Sequence, residues 1–348
     1  MSSLLEKGGG SFQGIKLLLC ENPMPPIEEA IAAAQEELTR SNYYTEPYSE
    51  PLRYIISEKI GVSPRLIHIN AGSELILRQL FARIGQRVHL LTPTYPLFTE
   101  IADHFTETRL EPANDFNFDL RDLEVPEKST LVVIVNPNNP NGGTFDMTPL
   151  PGLLSRYPDT HFLVDEAFIG MGGQSVAHLV PHYSNLLVTR TLSKAHSLAG
   201  FRVGYAILPA DLADDLNLHN DAYPLARPSQ AAALATLQHE EKIVERAAML
   251  RVWTVRLAED LRALGVRTYP TETYFFLADF APYDAADLAK RLREHDIFIK
   301  YLNDPSLGSG FMRMTTALPD DNNRFIGALK TLLQTSQPGD AEELTAAL

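Results

Sequence analysis

A single cysteine, Cys20, stands among 348 residues, so no intrachain disulfide can form. A reducing compartment, or indifference to redox state, follows. No apolar run reaches the ~18 residues that a membrane span needs. The opening MSSLLEKGGGSFQG lacks the long apolar core of a signal peptide. The expected location is therefore cytoplasmic, with no membrane partner. Positive charge is scarce: 30 Lys and Arg face 44 Asp and Glu, a formal net charge of -14. That balance argues against a nucleic-acid partner, whose phosphates demand a cationic surface, and favours solubility. Two nucleotide signatures are missing as well. GMGGQS does not satisfy the dinucleotide fingerprint, and there is no Walker A loop. His178 and His182 are four apart, but Pro181 between them argues against a helical metal pair. No metal is expected.

The chain does have the proportions of a soluble globular protein, 45% hydrophobic and 21% charged. At roughly 150 residues per domain it suggests two domains, or one large and one small, with enough length to bury a large core. Short β-rich runs alternate with helical patterns through the middle. Candidate strands are Leu66–Ile69, Val88–Leu91, Leu131–Val135, Phe162–Val164, Leu186–Thr189 and Val203–Leu208. Several are nearly all apolar, as strands covered on both faces should be. Between them lie helix-like segments such as Ser73–Ile84 and Leu150–Ser155. This alternation predicts an α/β domain with a mostly parallel sheet. After Gln230 the pattern turns to long helices, then TYFFLADF, a helix near Ala285–Glu294, IFIKYL, GFMRMTT and a final helix. That reads as a smaller α+β domain. The last stretch, QPGDAEELTAAL, suggests a loop followed by a short acidic helix or a frayed tail.

Three segments carry chemistry. The loop after LVVIV is NPNNPNGG, Asn136 to Gly143. Asn-Pro and Asn-Gly form turns, so this is either a tight turn or a ligand loop at the strand end where open α/β sheets bind. FLVDEAF places Asp165 at the end of an apolar strand. A carboxylate there is solvated by a loop or positioned to serve a ligand. TRTLSKAHSLAGFRVGY sets Thr191 and Ser193 beside Lys194, with Arg202 between Gly200 and Gly204. A surface Ser-Lys pair is one reading. The glycines and second cation suit a close approach to an anion.

Asp165 lies 26 residues after Asn139, and Lys194 lies 29 after Asp165. With NPNNPNG, VDEAF and TLSK…AGFRVGY in this order, the chain resembles the class I/II aminotransferases. These are pyridoxal-phosphate enzymes of fold type I. Within them it is most similar to the histidinol-phosphate aminotransferase group and to threonine-phosphate decarboxylase. The resemblance runs from Glu21-Asn22-Pro23 to Arg313. It implies an α/β large domain with a mixed, mostly parallel seven-stranded sheet, plus a small α+β domain. The boundaries expected are 1–35 for an N-terminal arm and part of the small domain, 36–245 for the large cofactor-binding domain, 246–336 for the small C-terminal domain and 337–348 for the tail.

The resemblance also implies pyridoxal 5′-phosphate, an electron sink for charge developing at a substrate's Cα. On it, Lys194 holds the cofactor as a Schiff base and, once released, serves as general base and acid. Asp165 matches the carboxylate that pairs with the protonated ring nitrogen. Asn139 matches the asparagine that hydrogen-bonds the ring's 3′ oxygen. The phosphate would sit among the Arg202 fork, the Thr191 and Ser193 hydroxyls, and the backbone N–H groups of Gly72, Ser73 and Glu74 at a helix start. Gly72-Ser73 is otherwise an ordinary helix cap. Tyr95 matches the aromatic residue stacked on the ring. Tyr44 aligns with the tyrosine that reaches a neighbouring subunit's cofactor phosphate, with Tyr43 as competitor, and either implies a homodimer. Arg313 matches the arginine that binds the substrate carboxylate.

Four positions depart from the family pattern. Phe168 stands where many relatives have a tyrosine whose hydroxyl bonds the 3′ oxygen. Lys300 stands where histidinol-phosphate aminotransferases place an arginine for the substrate phosphate, keeping the charge and losing the fork. His196 replaces a usually apolar aromatic residue and is expected to be buried and satisfied. Arg227 falls in a segment that lines the substrate pocket in relatives, or is a solvated loop arginine. The partners implied are a small-molecule amino acid, an oxo acid and a second copy of the chain. The leading expectation is an aminotransferase acting on an L-amino acid with a polar or anionic distal group. A decarboxylase on the same scaffold is the second, and a non-catalytic ligand-binding relative the third.

Overall fold

The computed structural model describes residues 14–304 and 307–335. The expected 337–348 tail lies outside the described residues, as does the start of the expected N-terminal arm. The strands in chain order are β1 (Ile15–Leu17), β2 (Ile67–Asn70), β3 (Val88–Thr92), β4 (Phe105–Arg109), β5 (Leu131–Val135), β6 (His161–Asp165), β7 (Leu186–Thr191), β8 (Gly204–Ile207), β9 (Arg267–Thr268), β10 (Phe275–Asp279), β11 (Ile297–Tyr301) and β12 (Phe311–Thr315). They form a seven-stranded sheet, in the order β2-β8-β7-β6-β5-β3-β4, and a five-stranded sheet, in the order β1-β11-β12-β10-β9. In the larger sheet only β8 runs against its neighbours. The fold is the α/β pyridoxal-phosphate transferase fold of type I that the sequence motifs imply.

The central strands are fully buried because nearly every residue is apolar: all five positions of LVVIV in β5 are enclosed. Helix Ser73–Ile84 supplies one covering face. Its Ile76, Leu77, Leu80 and Phe81, spaced at i, i+1, i+4 and i+5, pack with Leu90, Val133, Leu163 and Leu187 of the sheet. Burying each such side chain stabilises by ~1.5–3 kcal/mol. Strand β4, sequence FTETR, is absent from the strands read in the sequence. It is an edge strand with one neighbour, exposed along nearly its whole length, so it carries no buried-strand signature.

Two compact units emerge. The larger holds Asn22–Val252 and Tyr269–Phe276; the smaller holds the described residues up to Glu21, Trp253–Thr268 and those from Leu277 onward. The first crossing falls at 21/22 rather than 35/36, because helix Glu28–Leu38 packs on helix Arg227–Gln238 of the larger unit. The second falls at 252/253 rather than 245/246, inside the continuous helix Glu240–Ala263, where no turn marks it. Residues 269–276 return to the larger unit through ring contacts of Tyr269 with Phe116 and of Tyr274 and Phe275 with Phe168.

One glycine sets how closely β8 approaches the start of helix Ser73–Ile84. A Cβ on Gly204 would lie 2.1 Å from the Ser73 backbone nitrogen and 2.4 Å from the Gly72 carbonyl carbon. Neither neighbour is a movable side-chain tip. Gly204→Ala should therefore destabilise the fold by ~1–3 kcal/mol. Gly152→Ala, on a helix with nothing within 4 Å of the new methyl, should stabilise by ~0.5–1 kcal/mol. Thermal unfolding followed by circular dichroism checks both; equal midpoints would refute the close approach.

Candidate active site

Strands β2, β3, β5, β6 and β7 all end at one edge of the large sheet, and β8 starts there. Open α/β sheets bind ligands at this edge. The registers align the ends: Val135 opposes Asp165, Asp165 opposes Thr189, and Gly204 opposes both Thr191 and Asn70. Gly72, Ser73 and Glu74 follow β2, Tyr95 follows β3, Asn139 follows β5, Lys194 follows β7, and Arg202 precedes β8. The sheet thus brings together all of the cofactor residues named from sequence except Tyr44.

Asp165 is only 3% exposed. Its Oδ1 accepts from Thr189 Oγ1 at 3.0 Å, and the Ala167 N–H also donates to it. Burial nevertheless pushes its carboxyl up to about 6, with the Glu166 charge adding to the rise and Lys194 opposing it. The neutral form is thus favoured far above the ordinary aspartate range. A carboxylate in this setting calls for a cation.

Lys194 Nζ lies 5.4 Å from the centroid of the Phe168 ring. Phe168 is itself held edge-on against Phe275 at 4.7 Å and against Tyr274 at 6.1 Å. The phenylalanine in place of the family tyrosine is therefore a packed member of an aromatic cluster. The Lys194 and Ala195 carbonyls each accept from Asn22 Nδ2 at 3.2 Å, a buttress missed in sequence. Its only signal there was the Asn-Pro pair that opens the resemblance.

Thr191 Oγ1 lies 2.9 Å from Ser193 Oγ and 3.2 Å from Val203 O, its one proton shared between these acceptors, and accepts from Ser193 N at 3.1 Å. The two hydroxyls therefore form one unit. Arg202 has a left-handed backbone, φ 54°, and donates to Ala199 O at 3.2 Å. A Cβ on Gly72, itself at φ +88°, would meet the Arg202 Nη2 at 2.5 Å. Only glycine lets the guanidinium lie over the first turn of helix Ser73–Ile84. Glu74 turns its carboxylate to Arg78 at 2.8 Å, leaving its backbone as its contribution to the helix start. Asn139 is buried, and the neighbouring Asn138 fixes the loop by donating to Pro93 O at 3.0 Å and Asn141 Oδ1 at 2.7 Å. Tyr95 packs edge-on to Phe98 at 5.9 Å.

Tyr44 stands apart from this group. It is 76% exposed and stacks on Tyr223 at 4.3 Å, and Tyr43 is exposed beside it. Arg227 is held in an ion pair and is partly exposed. It donates to Glu37 Oε2 at 2.5 Å and to Tyr44 O at 2.6 Å. His196 corrects another expectation: it is enclosed at Nδ1 with no partner for that atom among the described residues. Burial pushes it down to about 4, so it is neutral at pH 7. Within the smaller unit, Lys300 and Arg313 face each other across β11 and β12. Arg313 is buried and donates to Leu18 O. Burial, then the Arg313 charge, lowers the Lys300 pKa.

These residues fit pyridoxal 5′-phosphate. A desolvated carboxylate suits a cationic ring nitrogen, a primary amine follows on the next strand end, and the Gly72–Arg202 cradle joins hydroxyls and a helix start suited to phosphate. Among the described residues no group of three His, Cys, Asp or Glu could hold a metal, and no helix is long and apolar enough to cross a membrane.

Comparison with known proteins gives the same family. A histidinol-phosphate aminotransferase of Acinetobacter baumannii is 31% identical over 328 residues, covering 91% of this chain and 90% of that protein. The structure of a histidinol-phosphate aminotransferase from Sinorhizobium meliloti in complex with pyridoxal-5′-phosphate superposes with a TM-score of 0.85 at 22% identity, covering 96% of this chain and 94% of that one. L-threonine-O-3-phosphate decarboxylase from Porphyromonas gingivalis has a TM-score of 0.82 at 23% identity, covering 92% and 100%. The family model for aminotransferase class I and II matches residues 14–328, and with nearly the whole chain inside that match the protein belongs to this family of pyridoxal-phosphate-dependent transferases.

Proposed function

We propose that this enzyme transfers the amino group of an L-amino acid with a polar or anionic distal group to an oxo acid, in the cytoplasm. Bound pyridoxal phosphate supplies the electron sink for charge that develops at the substrate's Cα. Lys194 would hold the cofactor through its amine. Released by substrate, the same amine would carry the proton from Cα. The Phe168 ring centroid stands 5.4 Å from that amine. Asp165 would keep the ring nitrogen protonated, and Asn139 would donate to the 3′ oxygen. Arg202, Thr191, Ser193 and the N–H groups of Gly72, Ser73 and Glu74 would take the phosphate, with Tyr95 against the ring.

The observation that carries the substrate reading is the cross-strand pair Lys300 and Arg313. Like charges directly opposite on a sheet repel; Arg313 is buried, and Lys300, though exposed, has its pKa lowered by partial burial and by the Arg313 charge. An anion relieves both costs. Arg313 would take a carboxylate with two parallel hydrogen bonds, and Lys300 the distal anion as a point charge. Arg227 is not needed for this reading, since Glu37 offsets its charge. Relatives 31% identical are named histidinol-phosphate aminotransferases, so phosphorylated amines belong in the first substrate panel.

Two measurements follow. Arg313→Ala should lower kcat/KM for every amino acid by about a hundredfold, ~2.7 kcal/mol, since all share the α-carboxylate. Lys300→Ala should cost about tenfold, ~1.4 kcal/mol, for anionic side chains alone. Equal losses of Lys300→Ala on all substrates, or a native preference for lysine or arginine, would overturn the charge reading. Product analysis in the same panel separates oxo acid from CO₂ plus amine, the outcome of a decarboxylase.

The working unit proposed is a homodimer. Tyr43, Tyr44, Tyr48 and Tyr54 expose large rings on neighbouring segments of one chain, and exposed aromatic groups of this kind mark interfaces. If Tyr44 or Tyr43 serves the partner's phosphate, mixing Lys194→Ala with Tyr44→Ala, and separately with Tyr43→Ala, should restore activity in one mixture through hybrid dimers. A fully active monomer in solution scattering would rule this out.

A further inference from the structure

We propose that the buried ion pair Glu166–Arg190, on the face of the sheet opposite to Asp165, acts as a positioning device that keeps Asp165 anionic and fixed for the cofactor. The inference rests on the role of Asp165 proposed above. Side chains alternate along a strand. Asp165 and Thr189, paired in register, point to one face, so their successors Glu166 and Arg190 point to the other. Glu166 is fully enclosed and meets Arg190 at 2.8 Å. Its two oxygens are saturated: Oε1 accepts from Val176 N at 2.7 Å, and Oε2 from Ser175 Oγ at 3.0 Å and Arg190 Nε at 2.8 Å. Arg190 also donates to Ser175 Oγ and pairs with Tyr205 of β8. The backbone closes the square, with Glu166 N donating to Thr189 O at 2.8 Å. Three strands and the loop through Ser175 are thereby joined directly behind the carboxylate.

None of these contacts is required to hold a phosphate or an amine. Two buried charges also cost more than an apolar pair of similar shape would. What the pair does have is adjacency. Glu166 alone would set a second negative charge beside Asp165, favouring its neutral form. Arg190, at hydrogen-bond distance, offsets that charge in part, and what remains still raises Asp165. The ionisable groups acting on Asp165 are Glu166 and Lys194. Those around the pair are Tyr205 and His196, with Lys59 and Glu240 acting on His196. His196 is neutral, and Lys59 and Glu240 neutralise each other at 2.6 Å. Glu166 and Arg190 are therefore the charges behind Asp165 whose balance can be shifted by one substitution.

The consequence is a sign that packing alone cannot produce. Asp165 is pushed up to about 6 even against the pull of Lys194, and a bound ring nitrogen would hold it ionised. Binding must then release a proton below that pH, so cofactor affinity is level above the break and falls as pH drops through it. Arg190→Gln leaves Glu166 unpaired and should move the break up, on the order of one pH unit. Glu166→Gln leaves Arg190 unpaired and should move it down. The charge-neutral double variant should return it toward the parent, and Arg190→Lys should largely rescue Arg190→Gln. The measurement is the apparent dissociation constant of pyridoxal phosphate against pH on the full-length protein, with thermal midpoints recorded alongside. If Arg190→Gln fails to fold, the direction for Glu166→Gln and the double variant decides. Shifts in the same direction for both single variants, or none, overturn the inference. Asp165→Asn should abolish the break; if it leaves the break unchanged, the assigned role of Asp165 is what fails.

Discussion

A carboxylate buried at the end of a parallel strand is the constraint on which this structure turns. Asp165 has lost nearly all contact with water, and one hydroxyl and one amide are too little to hold its charge at the ordinary pKa. Such a group needs a cation, and the fold is arranged around the place where one would arrive. The neighbouring strand ends contribute an amine, a pair of coupled hydroxyls and a guanidinium laid over a helix start. Gly72 and Gly204 exist at the two points where a methyl group would push that arrangement apart.

The two faces of the sheet edge divide the work. The face carrying Asp165 and Thr189 holds the buried carboxylate whose pKa is raised. The face carrying Glu166 and Arg190 is paired and hydrogen-bonded through both carboxylate oxygens. Strand alternation makes this division automatic, because consecutive residues cannot share a face. In the smaller unit, β11 and β12 do the reverse, setting two cations opposite each other where a sheet would ordinarily avoid them. Like charges set opposite each other in one place and opposite charges paired in another distinguish the sites from the scaffold.

Much of this was legible in the sequence, for identifiable reasons. The central strands were readable because burial on both faces forces continuous apolar runs, and helix Ser73–Ile84 because its apolar spacing is helical. The motif loops were readable because Asn-Pro, Asn-Gly and Ser-Lys pairs sit immediately after such runs. What could not be read is what depends on three dimensions. Edge strand β4 has no buried face to mark it. The unit boundary within helix Glu240–Ala263 has no local signature, because the helix continues through it. Arg227 looked available until Glu37, 190 residues away in the chain, proved to offset its charge. His196 was expected to be satisfied, and its Nδ1 is instead enclosed without a partner.

The central claim is that these strand ends form one cofactor site with Lys194 as its point of attachment. The most direct measurement is borohydride reduction of the purified protein followed by peptide mass spectrometry. The mass of the reduced cofactor should appear on Lys194, and Lys194→Ala should carry none while still binding pyridoxal phosphate reversibly. Label on any other lysine, or undiminished labelling of Lys194→Ala, would contradict it.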